Sequence, residues 1–299
     1  MIFDTLENRP TDFGPHRKAP ATKRRFRSNM MLNPLNLKHL NRIDESDADM
    51  ITLNLEDAIA PSRKKEALQN IALFLSHLQS SNAFIIVRTN PLDHGGAEEI
   101  AFLNDFSFDA VRVAKVENQT EIAQALTLLD ESKELHISLE TKEAFQALST
   151  LRIDERFTTA NLGILDLLTS LGLPQSLVIP ENPTIDYILS KFLVDAKTAG
   201  IQPISFMFQE YNDTATFEKW CVREKMMGFE TKACMGPKQV EIANQIFGVS
   251  ETEKTRALHI KKRFEEEAKK GIHGFMDHTY GVFIDEPIYK DSLLLLAQS

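Results

Sequence analysis

Two acidic residues, Glu140 and Asp166, are the strongest candidates for chemistry in this sequence. Glu140 ends the apolar segment LHISLE, and Asp166 lies in NLGILDLL, 26 residues further along the chain. Each follows a short run that is typical of a buried β-strand, where an unpaired carboxylate is costly because it loses its hydration. Two carboxylates that end successive strands therefore indicate a cation bound between them, and this points to an enzyme.

The elements that would position this pair recur along the chain. Eight apolar, strand-like runs alternate with segments of helical periodicity, which indicates parallel βα units. The predicted strands are 29–32, 50–55, 83–89, 110–116, 135–139, 159–164, 203–208 and 231–235. The predicted helices are 62–79, 97–104, 119–129, 142–151, 184–199, 217–227 and 238–247. Eight such units predict an α/β fold of the (β/α)8 TIM barrel type.

The chain is longer than the barrel alone requires. We expect an N-terminal arm over 1–25, the barrel over 26–248 and a C-terminal helical extension over 249–299, which could cap a neighbouring subunit. An open, doubly wound sheet is the alternative architecture. That fold usually carries a G-x-G-x-x-G loop after its first strand, whereas this chain reads MLNPLNLKH there. The barrel is therefore favoured.

Charged residues gather at the predicted carboxyl ends of the strands, where barrel enzymes hold their active sites. In strand order these residues are Glu56 with Asp57, Arg88, Lys115, Glu140 and Asp166. The planar guanidinium of Arg88 is suited to gripping a substrate carboxylate, although it could instead bridge to Glu56 or Asp57. Lys115 is better explained as an ion-pair partner than as a Schiff-base lysine.

Composition narrows the classes of function. The 34 basic and 43 acidic residues give a formal charge of −9, which argues against general binding to nucleic acid or to an anionic membrane. Cys221 and Cys234 have no ligand spacing and are predicted to be core thiols. We find no signal peptide and no apolar stretch near the ~20 residues of a membrane span, so a cytoplasmic protein is expected. The basic residues of the arm are solvated, or help to hold an anionic substrate.

Motifs that span residues 26–297 carry a resemblance to a known family. In order they are FRSNMMLNP, LNLEDAIAPSRKKEA, IIVRTNP, VRVAKVEN, LHISLETKEAF, NLGILDLLTSLG and YGVFIDEP. Each motif is short, but their order and spacing together are specific. The chain resembles the citrate lyase beta-subunit family, within the HpcH/HpaI aldolase and citrate lyase superfamily.

The resemblance implies a Mg²⁺-binding barrel that cleaves or forms a carbon–carbon bond in a 3-hydroxyacyl thioester, such as a citryl-, citramalyl- or malyl-CoA. It places the metal ligands on Glu140 and Asp166. It also implies a homotrimer or hexamer in which Asp285, from GVFIDEP, transfers a proton in a neighbouring subunit's site. The remaining roles that it implies are catalysis by Glu56, Asp57 and Arg88, and substrate binding by Arg88, Lys115 and Arg27.

The chain also departs from the family pattern. An acidic residue commonly precedes the second metal ligand, but here the position is Leu165. Further departures are Asn54, Leu68, the Phe206-Met207 pair and Gly236. They leave two alternatives open: a class II-type aldolase acting on a free 2-oxo acid, and a catalytically silent barrel that serves as a subunit or regulator.

Overall fold

The computed structural model of the protein describes residues 10–14, 26–79 and 81–297. Most of the predicted arm, including its basic residues, lies outside these ranges. Residues 10–14 lie against the barrel: the backbone N–H of Gly14 donates to Ser76 Oγ at 2.9 Å, and the Phe13 ring meets Phe106 edge-on. The described chain divides into two compact units, with a boundary between Ile246 and Phe247.

The first unit is built on eight parallel strands. They are β1 (Ser28–Leu32), β2 (Met50–Asn54), β3 (Phe84–Thr89), β4 (Ala110–Val113), β5 (Glu134–Leu139), β6 (Phe157–Leu162), β7 (Gln202–Ile204) and β8 (Lys232–Cys234). Neighbours pair in chain order from β1 to β7, and β8 pairs with β1. All these strands are largely buried, which explains their near-continuous apolar sequence.

The ring closes between β7 and β8. A parallel bridge joins Ser205, just after β7, to Lys232. The backbone N–H of Ser205 donates to the Thr231 carbonyl at 3.0 Å, and that of Ala233 donates to the Ser205 carbonyl at 3.0 Å. An open sheet has two unpaired edges, whereas here the first strand meets the last. The predicted (β/α)8 barrel is therefore confirmed.

Helices surround the strands. Those of the first unit are α1 (Leu37–Leu40), α2 (Lys64–His77), α3 (Gly96–Leu103), α4 (Gln119–Leu128), α5 (Lys142–Ala147), α6 (Ile164–Ser170), α7 (Pro183–Thr198), α8 (Thr214–Met227) and α9 (Pro237–Phe247). Local sequence sets where several begin. Asn118 caps α4 and Asn182 caps α7, each accepting backbone N–H bonds from the first turn, and Pro183 occupies the first position of α7.

The barrel interior changes character along its axis. At the amino ends of β2, β3 and β4 it is apolar: Met50, Phe84 and Ala110, the first residues of these strands, cluster with Ile204 of β7. One step further along it is polar, where Arg112 Nη2 donates to Thr52 Oγ1. Because side chains two residues apart share a face of a strand, the next layer opens at the carboxyl ends.

A buried ion pair fastens α8 to the barrel wall. Lys232 Nζ lies 2.6 Å from Glu224 Oε1, and both side chains are fully buried. The ammonium also lies over the Phe206 ring, 3.6 Å from its centroid. Burial raises the pKa of Glu224 while the Lys232 charge lowers it, and burial prevails. Cys221 and Cys234 are nearby buried thiols with no disulfide, as predicted.

The structure corrects several predicted boundaries. The fourth strand ends at Val113 rather than at residue 116, because Lys115 has a φ of 53° and leaves the extended conformation. The sixth strand ends at Leu162 rather than at residue 164, and residue 164 begins α6, a helix that the sequence pattern did not predict. The seventh strand ends at Ile204 rather than at residue 208.

The second unit combines helices with a short hairpin. Helix α10 (Glu251–Ala268) opens with a capping box, in which Ser250 and Glu253 bond reciprocally. Strands β9 (Phe275–Asp277) and β10 (Val282–Ile284) pair antiparallel before α11 (Glu286–Ala297). The hairpin stands where an irregular stretch was expected, with the backbone turning back through Gly281 at a φ of 62°.

Candidate active site

Arg88 is the centre of a charged network at the carboxyl ends of β2 to β5. Its Nε donates to Asn54 Oδ1 at 2.8 Å. Its two terminal nitrogens reach different carboxylates, Glu56 at 3.0 Å and Glu140 at 3.5 Å. The side chain is only 9% exposed. The guanidinium of Arg88 is thus held between two buried carboxylates, and its orientation is fixed before any ligand binds.

Glu56 is bonded from three sides. Besides Arg88 it accepts from Lys115 Nζ at 2.6 Å and from the backbone N–H of Asp57 at 2.7 Å. Burial alone would raise the pKa of Glu56, but the Arg88 charge and the hydrogen bonds from Asp57 and Lys115 lower it to about 2. Glu56 therefore stays anionic at neutral pH and holds two cations in place.

Lys115 adopts an unusual backbone conformation in order to reach the site. A φ of 53° is rare for a residue with a side chain, and such residues cluster at functional sites. Burial would lower the pKa of Lys115, but the hydrogen bond and charge of Glu56 raise it well above its ordinary value. Asp57 lies 3.5 Å from the same ammonium. Lys115 is therefore a fixed cation and lacks the free amine that a Schiff base requires.

Glu140 is a buried carboxylate with one oxygen that accepts no hydrogen bond from the described residues. It is 4% exposed, and its Oε2 has no hydrogen-bond partner in the described structure. Burial raises the pKa of Glu140 to about 7; the Arg88 charge lowers it, while Glu56 and Asp166 raise it further. A buried carboxylate oxygen with no donor is a costly arrangement, and a bound cation would relieve that cost.

Gly163 brings α6 up against Glu140. A Cβ at this glycine would lie 2.3 Å from Glu140 Cγ, closer than two carbon atoms can approach. The backbone N–H of Gly163 also donates to the Leu139 carbonyl at 3.0 Å, which joins the two segments. Three residues later, Asp166 stands in the first turn of α6 and is partly exposed. The sequence placed Asp166 at a strand end, and the structure places it on this helix.

The two carboxylates form the candidate cation site. Within the described residues no group of three or more His, Cys, Asp or Glu side chains could hold a metal. A transition-metal site built from protein ligands alone is therefore not present there. Mg²⁺ commonly takes one or two carboxylates and completes its shell with water and substrate oxygens. The unpartnered Glu140 Oε2 beside Asp166 fits that pattern.

Arg27 is the predicted site residue of the first unit that is not brought to this network. Arg27 precedes β1, at the amino ends of the strands, and its guanidinium forms a two-pronged pair with Asp49 at 2.8 Å. It thus stands at the end of the barrel opposite to Arg88 and fastens β1 to the start of β2. Asp285 belongs to the second unit, where its Oδ1 accepts from the backbone N–H of Ile288 at the start of α11.

Three residues that sequence reasoning did not assign contribute to the site. Asn54 orients Arg88, and Gly163 makes room for Glu140. Arg112 is a fully buried cation whose Nε has no partner among the described residues. Burial, and next the Arg88 charge, lower the pKa of Arg112 to about 9. The glycine that opens the helix in NLGILD was the one signal available in the sequence, because a glycine there allows a close approach.

Known proteins share this architecture. Citrate lyase subunit beta of Haemophilus influenzae is 26% identical over 84% of this chain and 89% of its own. A (3S)-malyl-CoA thioesterase of Cereibacter sphaeroides is 26% identical over 82% of this chain and 85% of its own. The crystal structure of CitE from Mycobacterium tuberculosis with magnesium, acetoacetate and coenzyme A superposes with a TM-score of 0.70 at 17% identity, covering 92% of this chain and 98% of that one.

A citrate lyase structure from Burkholderia xenovorans superposes with a TM-score of 0.77 at 15% identity and covers 90% of each chain. At such identities the two structural likenesses establish the fold. The family model for HpcH/HpaI aldolase/citrate lyase matches residues 27–237, which include β1 to β8 and the network around Arg88. The chain therefore belongs to the HpcH/HpaI aldolase/citrate lyase family.

Proposed function

We propose that this protein is a Mg²⁺-dependent carbon–carbon lyase that cleaves or forms a 3-hydroxyacyl thioester. The observation that carries the proposal is Glu140: a buried carboxylate with one unpartnered oxygen, held beside a fixed guanidinium at the mouth of the barrel. Together these groups offer a cation position next to a carboxylate-binding position. The relative named (3S)-malyl-CoA thioesterase supports a thioester substrate, and the relative named citrate lyase subunit beta supports a lyase reaction.

Glu140 and Asp166 would hold the metal. When bound, Mg²⁺ supplies Lewis-acid polarisation of a 2-hydroxy or 2-oxo acid oxygen. The CitE structures determined with magnesium support this choice of ion. The departure at Leu165 removes a family carboxylate from the neighbourhood but leaves the pair Glu140 and Asp166 in place.

Arg88 would bind the substrate carboxylate. Its fork is already oriented by Asn54 and Glu56, so little side-chain entropy is lost on binding. Lys115 adds a second positive charge on the same side of the mouth. Glu56 keeps both cations in position but cannot deliver a proton near neutral pH, since its pKa lies at about 2. We therefore propose a positioning role for Glu56.

In the cleavage direction a base removes the proton of the 3-hydroxyl group. The C2–C3 bond then breaks and its electron pair stays with C2, the carbon next to the thioester carbonyl, giving a 2-oxo acid and a thioester enolate, which takes up one proton at C2. Asp57 is a candidate for a proton transfer, because burial and the neighbouring Glu56 raise its pKa. For the enolate we retain Asp285, acting from a neighbouring subunit in a homotrimer or hexamer.

Hydrolysis of the thioester is the second candidate, and it is favoured by the relatives named malyl-CoA thioesterase. The two reactions differ in their products. Cleavage of the carbon–carbon bond releases a 2-oxo acid and leaves the thioester intact, whereas hydrolysis releases a free thiol and the hydroxy acid.

The test is to incubate the purified protein and Mg²⁺ with malyl-, citramalyl- and citryl-CoA and to measure both products. We expect the 2-oxo acid to appear before any thiol. Glu140→Ala and Asp166→Ala should each abolish this release, while Glu117→Ala, an exposed acid after β4, should not. Release of thiol alone would establish the second candidate. Release that is unchanged by both substitutions would overturn the metal assignment. No product from any thioester, together with no binding of free 2-oxo acids in the presence of Mg²⁺, would favour the silent barrel.

A further inference from the structure

We infer that the protein takes 2-oxo acids, or the corresponding 2-hydroxy groups, that carry an alkyl side chain longer than methyl. This inference rests on the proposed function and deepens it by naming the class of substrate. The observation behind it is a cavity of about 280 Å³ between the start of α6 and the segment that follows β7. Its wall includes Ile164 and Leu165, which directly precede Asp166.

The lining of this side-chain cavity is apolar inside and polar at the entrance. Ile164, Phe206 and Phe208 are buried at its floor, and Leu165, Val178 and Met207 form half-buried walls. The exposed rim consists of Gln175, Gln209 and Glu210. The amide of Gln175 is directed at the α6 backbone, 3.4 Å from the Leu165 carbonyl. No cation stands among the lining residues, so a second substrate carboxylate would meet only the acidic side chain of Glu210.

The position of the cavity identifies the substrate group that it accepts. Arg88 stands at the end of β3, and the cavity lies at the ends of β6 and β7, three and four strands away around an eight-stranded ring. An acid whose carboxylate is held by Arg88 directs the other substituents of its second carbon away from that residue. With the oxygen of that carbon directed to a cation on Glu140 and Asp166, as in the proposed function, the side chain is left for the cavity.

The thioester arm cannot occupy the same space. Pockets for whole small molecules typically enclose about 300–1,000 Å³, and this cavity, at about 280 Å³, lies just below that range. It is large enough for a branched alkyl group but too small for a nucleotide-bearing carrier. The side-chain cavity therefore determines specificity, since each methylene that leaves water for an apolar wall contributes roughly four- to tenfold in affinity.

A calorimetric titration with free acids tests this inference without requiring turnover. The full-length protein with Mg²⁺ is titrated with glyoxylate, pyruvate, 2-oxobutyrate, 2-oxoisovalerate and oxaloacetate. We expect the affinity to rise by roughly four- to tenfold per added carbon from glyoxylate to 2-oxoisovalerate, with oxaloacetate weaker than 2-oxobutyrate. Met207→Gln should lower the affinity for 2-oxoisovalerate relative to that for pyruvate. Leu165→Asn should have the same effect, and the use of two variants guards against misfolding of either one.

Met226→Gln is the matched control, because Met226 is 84% exposed on α8 and does not line the cavity. It should leave the ratio unchanged. Binding that is independent of the side chain, or strongest for glyoxylate or oxaloacetate, overturns the inference while the proposed function stands. If none of the acids binds in the presence of Mg²⁺, the proposed function fails and the inference fails with it.

Discussion

Glu140 fits at the end of β5 only because residue 163 has no side chain. A Cβ at Gly163 would lie 2.3 Å from Glu140 Cγ. The backbone φ of Gly163 is −92°, a value that alanine tolerates. Gly163→Ala should therefore preserve the fold and displace the carboxylate. We expect kcat/KM for thioester cleavage to fall by about 100-fold, because displacements near 1 Å at a reacting centre cost that much. Steady-state kinetics with a circular dichroism check measures this.

The double variant separates displacement of Glu140 from general damage. If Gly163→Ala acts through Glu140, it adds little to the loss already caused by Glu140→Ala. Full additivity of the two losses would contradict the proposed route.

Arg88 should not tolerate lysine. The guanidinium contacts Asn54, Glu56 and Glu140 at once, and an ammonium cannot reproduce that planar fork. We expect Arg88→Lys to raise the KM for a 2-oxo acid at least tenfold. Arg88→Ala should in addition lower the free energy of unfolding by about 3–5 kcal/mol, since it leaves buried carboxylates without their partner. Urea unfolding at pH 8 checks this value, and equal stability of the alanine variant and the wild type would refute it.

Magnesium affinity should depend on pH near neutrality. The pKa of Glu140 is raised to about 7 by burial, and a metal ligand must be deprotonated. We therefore expect the affinity to fall by roughly tenfold per pH unit below 7 and to level off above it. Calorimetry at pH 6 and pH 8 measures this difference.

The metal-free protein should show the opposite trend in stability. A carboxyl group whose pKa is raised on folding contributes stability at low pH that is lost as the pH rises to about 7. In EDTA, Glu140→Gln should match the melting temperature of the wild type at pH 5 and exceed it at pH 8. A wild type that is the more stable of the two at pH 8 would contradict the burial of an ionised Glu140.

The buried pair of Lys232 and Glu224 predicts a stability effect away from the site. Lys232→Met leaves Glu224 fully buried without its partner and should cost about 3–5 kcal/mol at pH 7. Lowering the pH should recover part of this loss, because the raised pKa of Glu224 lets it become neutral. The double variant Lys232→Met/Glu224→Leu should regain most of the stability. Urea unfolding at pH 5 and pH 7 distinguishes these outcomes.

Subunit mixing tests the proposed role of Asp285. Chains with Asp285→Ala and chains with Glu140→Ala should each be inactive, and oligomers that contain both should recover part of the activity, since some sites then combine two intact contributions. Native mass spectrometry verifies that mixed oligomers form. Verified mixed oligomers with no activity would exclude an acid shared between subunits.

The barrel was predictable because its signal is repeated. Eight apolar runs at βα spacing define parallel strands, and the carboxyl ends of such strands share one face. The charged residues at those ends therefore met as expected: Arg88 with Glu56 and Glu140, and Lys115 with Glu56. Arg27 was assigned by likeness alone, although its position before the first strand already places it at the other end of the barrel.

Other features depend on contacts that no local pattern records. An apolar run does not show where a strand ends and a helix begins, so α6 and the place of Asp166 on it were missed. In the sequence, Arg112 cannot be distinguished from the other charged residue of VRVAK. The structure distinguishes it, because its side chain is buried inside the barrel. The side-chain cavity brings together residues that are about 40 positions apart in the chain, and a sequence read one element at a time does not join them.

The charges gathered around Arg88 predict an order in which the metal and the acid bind. When all its groups are ionised, the mouth of the barrel carries one more carboxylate than cations, the members being Glu56, Asp57, Glu140 and Asp166 against Arg88, Lys115 and Arg112. An anionic acid would then approach a negative surface. A divalent ion reverses the sign of that surface, so the metal should enter first and the acid second. We therefore expect a fully ionised, metal-free site to repel an anionic acid and to accept it once magnesium is bound.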